Sequence, residues 1–416
     1  MYSSENRRRF GPLEWLLAGL SAVSLAIFAS RWARMLGFLW DISVYERAVA
    51  DYDRGVDPYR TDVMFPFVYH PLVLRLFAFL SSILPLKVLL PALTLAALVW
   101  LSLELLDPVA SSGTTPLQSA REPQERVIGP RQLALAIAVA SGFGGIGAAA
   151  LLSGNMSPLM HFALMAALLR GGRAPSAFWS YLPFMLILLF ALIKPYFLIF
   201  LAAPVLLYQR RMIALGWALA VVALFSAIWF SFQMYWPAEY SQFIANLRGH
   251  ILGRGDLGYT FFYVFGAITH KPMLALELHT IVSLLLIALV PLLFAKKYGR
   301  TIPFAPQLLV LYLMLTLANP RMKDYDLFPA LVGFCAVSGM LSKWATQITF
   351  AGLLLSLVPL LSWAFPDLNA NHPMLFDPFG TWQIVALAVI GLAFLVNIFD
   401  DEGQTPQRAT GSTNAR

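Results

Sequence analysis

Residues 184–208 read FMLILLFALIKPYFLIFLAAPVLLY, an apolar run whose one charge, Lys194, stands directly before a helix-breaking proline, Pro195. The run predicts two short helical segments, 178–193 and 196–208, meeting at the Lys-Pro junction. An ammonium in lipid costs at least roughly 2.5 kcal/mol, so Lys194 marks either a functional cleft or a side chain reaching back to the interface. The rest of the chain repeats this chemistry. Of its 416 residues 59% are hydrophobic and 12% charged, with a mean hydropathy of +0.70. A soluble domain carries about 25% charged residues, so the medium that suits this surface is lipid. The composition predicts an all-α polytopic membrane protein. It excludes a soluble enzyme on a single anchor, a disordered chain and a disulfide scaffold, the last because Cys335 is the only cysteine.

Apolar runs long enough to span, or nearly so, fall at 13–30, 86–106, 132–152, 157–169, 178–193, 196–208, 213–232, 273–295, 302–318, 327–342, 346–364 and 381–398, twelve in all. Arg7, Arg8 and Arg9 precede the first, which is longer than a signal-peptide core and reads as a retained helix. With the N-terminus inside, Arg121, Arg126, Arg131, Arg170, Arg173, Arg210, Arg211, Lys296, Lys297, Arg300 and Lys343 all fall on the cytoplasmic side. The net charge of +7 is therefore topogenic, and no basic stripe interleaved with aromatics points to nucleic acid. Outer segments lie near 31–70, 233–272 and 365–380, with a polar turn at 319–326. The stretch 69–84 reads as juxtamembrane or re-entrant. The loop 107–131 and the tail 401–416 are polar and read as mobile, leaving residues 1–400 as one domain without internal repeats.

Candidate chemistry gathers on the outer side. Asp41, framed by Trp32, Phe38, Leu39 and Trp40, sits at the membrane boundary, where partial desolvation makes a carboxylate a better proton acceptor. It equally suits the N-cap of an amphipathic helix that carries Tyr45, Ala48, Val49 and Tyr52 on one face. The turn Ser153-Gly154-Asn155-Met156-Ser157 offers an amide and hydroxyls at a helix junction. Asn319-Pro320-Arg321-Met322-Lys323-Asp324-Tyr325-Asp326 packs four charges between two apolar runs, where Arg321 and Lys323 suit a phosphate and Asp324 and Asp326 suit either those cations or sugar hydroxyls. His70 and His250 lack partners at metal-ligand spacing. No HExxH, P-loop or GxSxG occurs, which argues against a metalloprotease, an NTPase or a serine hydrolase.

In their order along the chain these features resemble glycosyltransferase family 87, polyprenyl-phosphate-sugar-dependent enzymes of the GT-C superfamily. The features are Asp41 followed by Tyr45, the Gly55…Asp57-Pro58-Tyr59 turn, Tyr69-x-Pro71, Gly154-Asn155 before a short span, Lys194-Pro195 running into Gln209-Arg210-Arg211, and Asn319-Pro320 opening a late outer turn. The resemblance implies inverting transfer of a hexose, mannose first, from a polyprenyl-phosphate donor to a lipid or glycan acceptor at the outer face of the cell membrane. It assigns Asp41 as general base. Lys194, Arg321 and Lys323 become the candidates for the donor phosphate. Tyr45, Tyr59, Tyr69, His70, Asn155, Asn319, Asp324, Tyr325 and Asp326 become those for the sugar or acceptor. The chain departs from the family at Gly154-Asn155, where relatives carry Gly-Gln, and at Arg321–Asp326. The chemistry needs no cofactor and no metal, since a polyprenyl phosphate is already a good leaving group. The rival reading is a transporter or flippase of a lipid-linked saccharide.

Overall fold

The computed structural model describes residues 11–341, apart from 61, 62, 64, 108–127, 144, 174, 175, 250–259, 297–303 and 321, together with 352 and 354. Among the described residues every regular element is helical. The chain starts with α1 (Pro12–Leu36), which takes its proline at the N-terminal turn, where no N–H is missed, and ends at Gly37. Helix α2 (Trp40–Asp53) follows after three residues, then α3 (Pro71–Ile83) and α4 (Leu86–Leu106). The apolar face of α2 is docked on α3, α4 and α6 (Ile146–Ser153), with Tyr45, Ala48 and Val49 buried, so it rests against protein and not, as its amphipathic pattern suggested, along the membrane.

Two of the sequence expectations change here. The run 132–152 is not one rod: α5 (Pro130–Gly142) and α6 are bent 90° apart at a short break. The break ends at Gly145, whose φ of 82° a side chain would resist and against which the Phe28 ring packs. The run 196–208 is likewise no continuous α-helix. Pro195 ends α8 (Ala177–Ile193), and the chain continues as a seven-residue 3-10 helix (Pro195–Leu201) and the six-residue α9 (Ala202–Leu207). Together these rise about 23 Å, short of a hydrocarbon core of about 30 Å.

Beyond α10 (Arg211–Tyr235), the outer segment 233–272 holds two helices that the hydropathy pattern did not announce, α11 (Pro237–Arg248) and α12 (Phe261–Thr269). Then come α13 (Pro272–Lys296), α14 (Phe304–Leu317) and α15 (Asp324–Leu341). The centre of the bundle is α7 (Ser157–Arg173) packed against α4, α8, α14 and α15. Lipid tails are as apolar as leucine, so helix association in a bilayer relies on close packing. The small buried Ala166, Ala167 and Gly171 on α7 fit that requirement.

Among the described residues three helical stretches are long and apolar enough to cross a membrane: one within Pro12–Asp53, Leu86–Leu106 and Arg211–Tyr235, with α5 and α6 a fourth if the bent pair is one span. Helix α10 turns Met212, Leu219, Phe230 and Met234 outward. Such a face is a liability in water and ordinary in lipid. The expected span 346–364 apart from 352 and 354, the expected span 381–398, the loop at 108–127, His250, Arg321 and the tail 401–416 lie outside the described residues.

Candidate functional site

Asp41 lies in the first turn of α2, and the start of that helix is pinned to the end of α6, where the Leu39 N–H donates to the Leu152 carbonyl at 2.7 Å. Leu39 itself occupies the N-cap, in a left-handed conformation with φ 57° and without a side-chain cap bond. The alternative role of Asp41 as the helix cap is therefore not the one adopted. Its carboxylate turns to the α6–α7 turn, where Oδ2 accepts from Asn155 Nδ2 at 3.0 Å. Burial raises the Asp41 carboxyl to about 6, against the opposing pull of the Asn155 amide, the Lys194 and Lys323 charges and the Ser153 hydroxyl. The side chain nonetheless keeps partial exposure.

The turn that receives it is built by its own side chains. Gly154 closes α6 at φ 68°, and a Cβ there would come within 2.7 Å of the Ile42 side chain and 3.0 Å of Leu39. The Asn155 N–H donates to Ser153 Oγ at 3.0 Å, and Asn155 Oδ1 accepts the Ser157 N–H at 2.9 Å, satisfying a free donor of the first turn of α7. With its oxygen spent there, the Asn155 amide nitrogen has to face Asp41 and the Tyr69 hydroxyl, the latter at 3.4 Å. The Tyr69 and Tyr45 hydroxyls are in turn 3.2 Å apart. Burial and the nearby Tyr69 and Asp41 push the Tyr45 phenol well above its ordinary value, so it remains a protonated hydrogen-bonding group.

Across the same turn stands Lys194, the residue that ends α8. Its ammonium donates to Ser157 Oγ and to Asp326 Oδ1, the latter at 3.3 Å, and lies 4.7 Å from the centroid of the Tyr325 ring. Asp326 also accepts from the Tyr196 hydroxyl at 2.7 Å and, through Oδ2, from the Lys323 N–H at 3.0 Å. Burial alone would raise the Asp326 carboxyl, but Lys194 and the His161 and Tyr196 contacts outweigh it and hold it below the usual carboxylate range. A basic carboxylate and a preoriented cation thus flank one five-residue turn, both at the ends of helices and both partly exposed.

The structure brings together Asp41, Tyr45, Tyr69, Asn155, Lys194, Tyr325 and Asp326, with Lys323 near enough for its charge to act on Asp41. Other candidates fall elsewhere. Tyr59 and His70 belong to an aromatic cluster that borders the site through Phe67, whose ring lies 5.4 Å from Tyr69: Tyr59 packs on Phe67 and Phe243, and the His70 ring lies 4.4 Å from Trp229 and 4.5 Å from Phe232. His70 is the N-cap of α3, its Nδ1 accepting the Leu72 N–H at 3.2 Å. Burial and Arg75 lower its imidazole to about 4, so it is a neutral cap and not a cleft residue. Asn319 is buried past the end of α14, with its N–H on the Thr316 carbonyl, and Asp324 opens α15. Asp326, expected on sugar hydroxyls, is occupied as the counter-ion of Lys194.

Three residues of this network escaped the sequence reading: His161, Tyr196 and Tyr312. The His161 ring is fully buried, with Nδ1 at 2.6 Å from the Tyr312 hydroxyl and Nε2 at 3.2 Å from that of Tyr196. An ionisable residue inside SPLMHFALM was the available signal. The chain also carries two Asp-x-Asp pairs, Asp51-Tyr52-Asp53 and Asp324-Tyr325-Asp326. In a helix, positions i and i+2 diverge, and Asp51 is paired with Arg54 and Arg60, so neither pair converges on one ion. Among the described residues no three His, Cys, Asp or Glu side chains gather as a metal-ligand set. Comparison of the chain with protein-family models and with curated proteins finds no match to either.

Proposed function

We propose that the chain is a multi-pass membrane glycosyltransferase that moves a hexose from a polyprenyl-phosphate donor to a hydroxyl of a lipid or glycan acceptor at the outer face of the membrane. The observation that carries this reading is the pairing, across the 153–157 turn, of the Asp41 carboxylate, raised to about 6, with the Lys194 ammonium. The order of motifs shared with glycosyltransferase family 87 supports it from the sequence side. The apolar outward face of α10 supports the bilayer setting.

In this mechanism Asp41 takes the proton of the acceptor hydroxyl as its oxygen attacks the anomeric carbon from the face opposite the phosphate. The bond between the anomeric carbon and the phosphate oxygen breaks, and the electron pair leaves on the phosphate. A diester with one negative charge becomes a monoester with nearly two, so charge develops next to the leaving oxygen. Lys194 is positioned to offset that growing charge, with Lys323 contributing from the α14–α15 turn. Asn155 holds Asp41 in place and, as a donor, keeps its basicity from rising further. A first span in α1 with the N-terminus inside belongs to the same proposal, because it sets Asp41 on the outer side.

The test is to reconstitute the purified protein in liposomes with radiolabelled polyprenyl-phosphate sugars and a membrane lipid extract. The proposal expects a labelled covalent product from one donor sugar without added nucleotide. Movement of intact donor across the bilayer, with no product, would favour the flippase reading and remove this one.

A further inference from the structure

Lys194 is held from behind by a chain of buried side chains drawn from four separate elements. Tyr312 comes from α14, His161 from α7, Tyr196 from the 3-10 helix and Asp326 from α15. One set of hydrogens satisfies all of them. The Tyr312 hydroxyl donates to His161 Nδ1 at 2.6 Å, His161 Nε2–H donates to the Tyr196 oxygen at 3.2 Å, and the Tyr196 hydroxyl donates to Asp326 Oδ1 at 2.7 Å. Every donor in that order points toward the carboxylate, so each bond polarises the next in the same sense. Asp326 Oδ2 is anchored separately by the Lys323 N–H at 3.0 Å. Asp326 is thereby stabilised as an anion even when Lys194 engages something else.

The geometry at the ammonium makes use of that. A lysine ammonium has three donors. Two are taken, by Ser157 Oγ and Asp326 Oδ1, and among the described residues no third acceptor is within hydrogen-bond reach. The Lys194 side chain keeps 12% exposure, while Asp326 behind it keeps 2%. The ammonium is thus clamped on its inner side, with the Tyr325 ring 4.7 Å from it and its charge felt at Asp41.

Resting on the reading of Lys194 as the phosphate-binding cation, we propose that Tyr312, His161 and Tyr196 are positioning residues. They act through Asp326 to fix the direction of the one free Lys194 donor toward a single oxygen of an anionic phosphate ester. The array replaces the usual flexibility of a lysine side chain, whose ordering would otherwise be taken from the affinity for the ligand. It also accounts for three polar side chains in an otherwise apolar core, where a hydroxyl has to be satisfied to be tolerated. Tyr312 touches neither Lys194 nor the turn and reaches the ammonium through His161 and Asp326, which lie 3.8 Å apart directly and are also linked by Tyr196, so its hydroxyl affects the phosphate through the array alone.

The experiment is isothermal titration of the full chain in lipid nanodiscs with farnesyl phosphate, and with farnesol as the uncharged control, for the wild type, Lys194→Met, Tyr196→Phe and Tyr312→Phe. The two Phe variants keep the ring volume, including the Tyr312 stack on Phe200 at 4.4 Å, so a thermal melt serves only to confirm equal folding. The expected result is binding of farnesyl phosphate that Lys194→Met abolishes. Tyr196→Phe should weaken it about tenfold and Tyr312→Phe about threefold, the size of one hydrogen bond attenuated along a chain, with farnesol unaffected throughout. Binding that needs Lys194 but is the same in both Phe variants as in the wild type would overturn the positioning role and leave the phosphate site standing. No binding of farnesyl phosphate by the wild type would remove the site and the inference together.

Discussion

At the scale of single residues, burial is what suits Asp41 to the proposed role of a base at neutral pH. A carboxyl raised to about 6 is still roughly nine-tenths ionised at pH 7, yet it is about a hundredfold stronger as a proton acceptor than one at its ordinary value. Only the ionised form can accept the proton, so transfer should fall about tenfold for each pH unit below that value. Removing the donor in Asn155→Ala takes away an interaction that favours the charged form, and the acidic limb should then move to higher pH. A pH profile of kcat/KM for both proteins checks this; a limb near 4 in the wild type, or one unmoved by Asn155→Ala, would contradict it. Lys194 and Asp41 were legible in the sequence because a lone charge in an apolar setting is conspicuous. His161, Tyr196 and Tyr312 were not, because single polar residues on separate helices show no spacing until the fold gathers them. His70 misled for the complementary reason: beside a proline and a tyrosine it reads as a cleft residue, whereas its place before Pro71 makes it a cap.

At the scale of elements, the working part is the short turn between α6 and α7. It holds the start of α2 through Leu39 and Ile42, orients Asn155, and presents Ser157 to Lys194. Gly154→Ala combines a φ of 68° that a side chain resists with a Cβ 2.7 Å from the Ile42 side chain, so the turn or the Ile42 and Leu39 side chains at the start of α2 have to give way. Because small misplacements of a reacting group are costly, transfer should drop about 10–100-fold, with a smaller loss of thermal stability. Turnover assays and a thermal melt on the same sample separate the two effects, and wild-type turnover would show that the turn does not set Asp41. The pattern of hydrophobic runs placed most helices to within a few residues, as with 86–106 for α4 and 178–193 for α8. It could not foresee the 90° break at Phe143–Gly145, since a bent pair and a straight rod have the same hydropathy. Nor could it find α11 and α12, whose lengths of 12 and nine residues lie below what a spanning window detects.

At the scale of the whole molecule, composition alone led to a helical chain with an apolar exterior, and the described residues are helical with three to four stretches able to cross a membrane. Asp41 lies in the first turn of α2, Asn155 precedes α7, Lys194 ends α8 and Asp326 lies in the first turn of α15; Asn155 Oδ1 and Asp326 Oδ2 accept backbone N–H groups at those helix starts, while Asp41 and Lys194 are held by side chains. The most direct measurement is sugar transfer by Asp41→Asn in reconstituted membranes, alongside its affinity for the lipid-phosphate donor and its thermal melt. The asparagine keeps the size of the side chain and cannot accept the proton. The account predicts turnover lowered by at least about 10²–10⁴-fold, the range of general-base catalysis, with donor affinity and melting temperature near those of the wild type. Turnover within a few-fold of the wild type would contradict it.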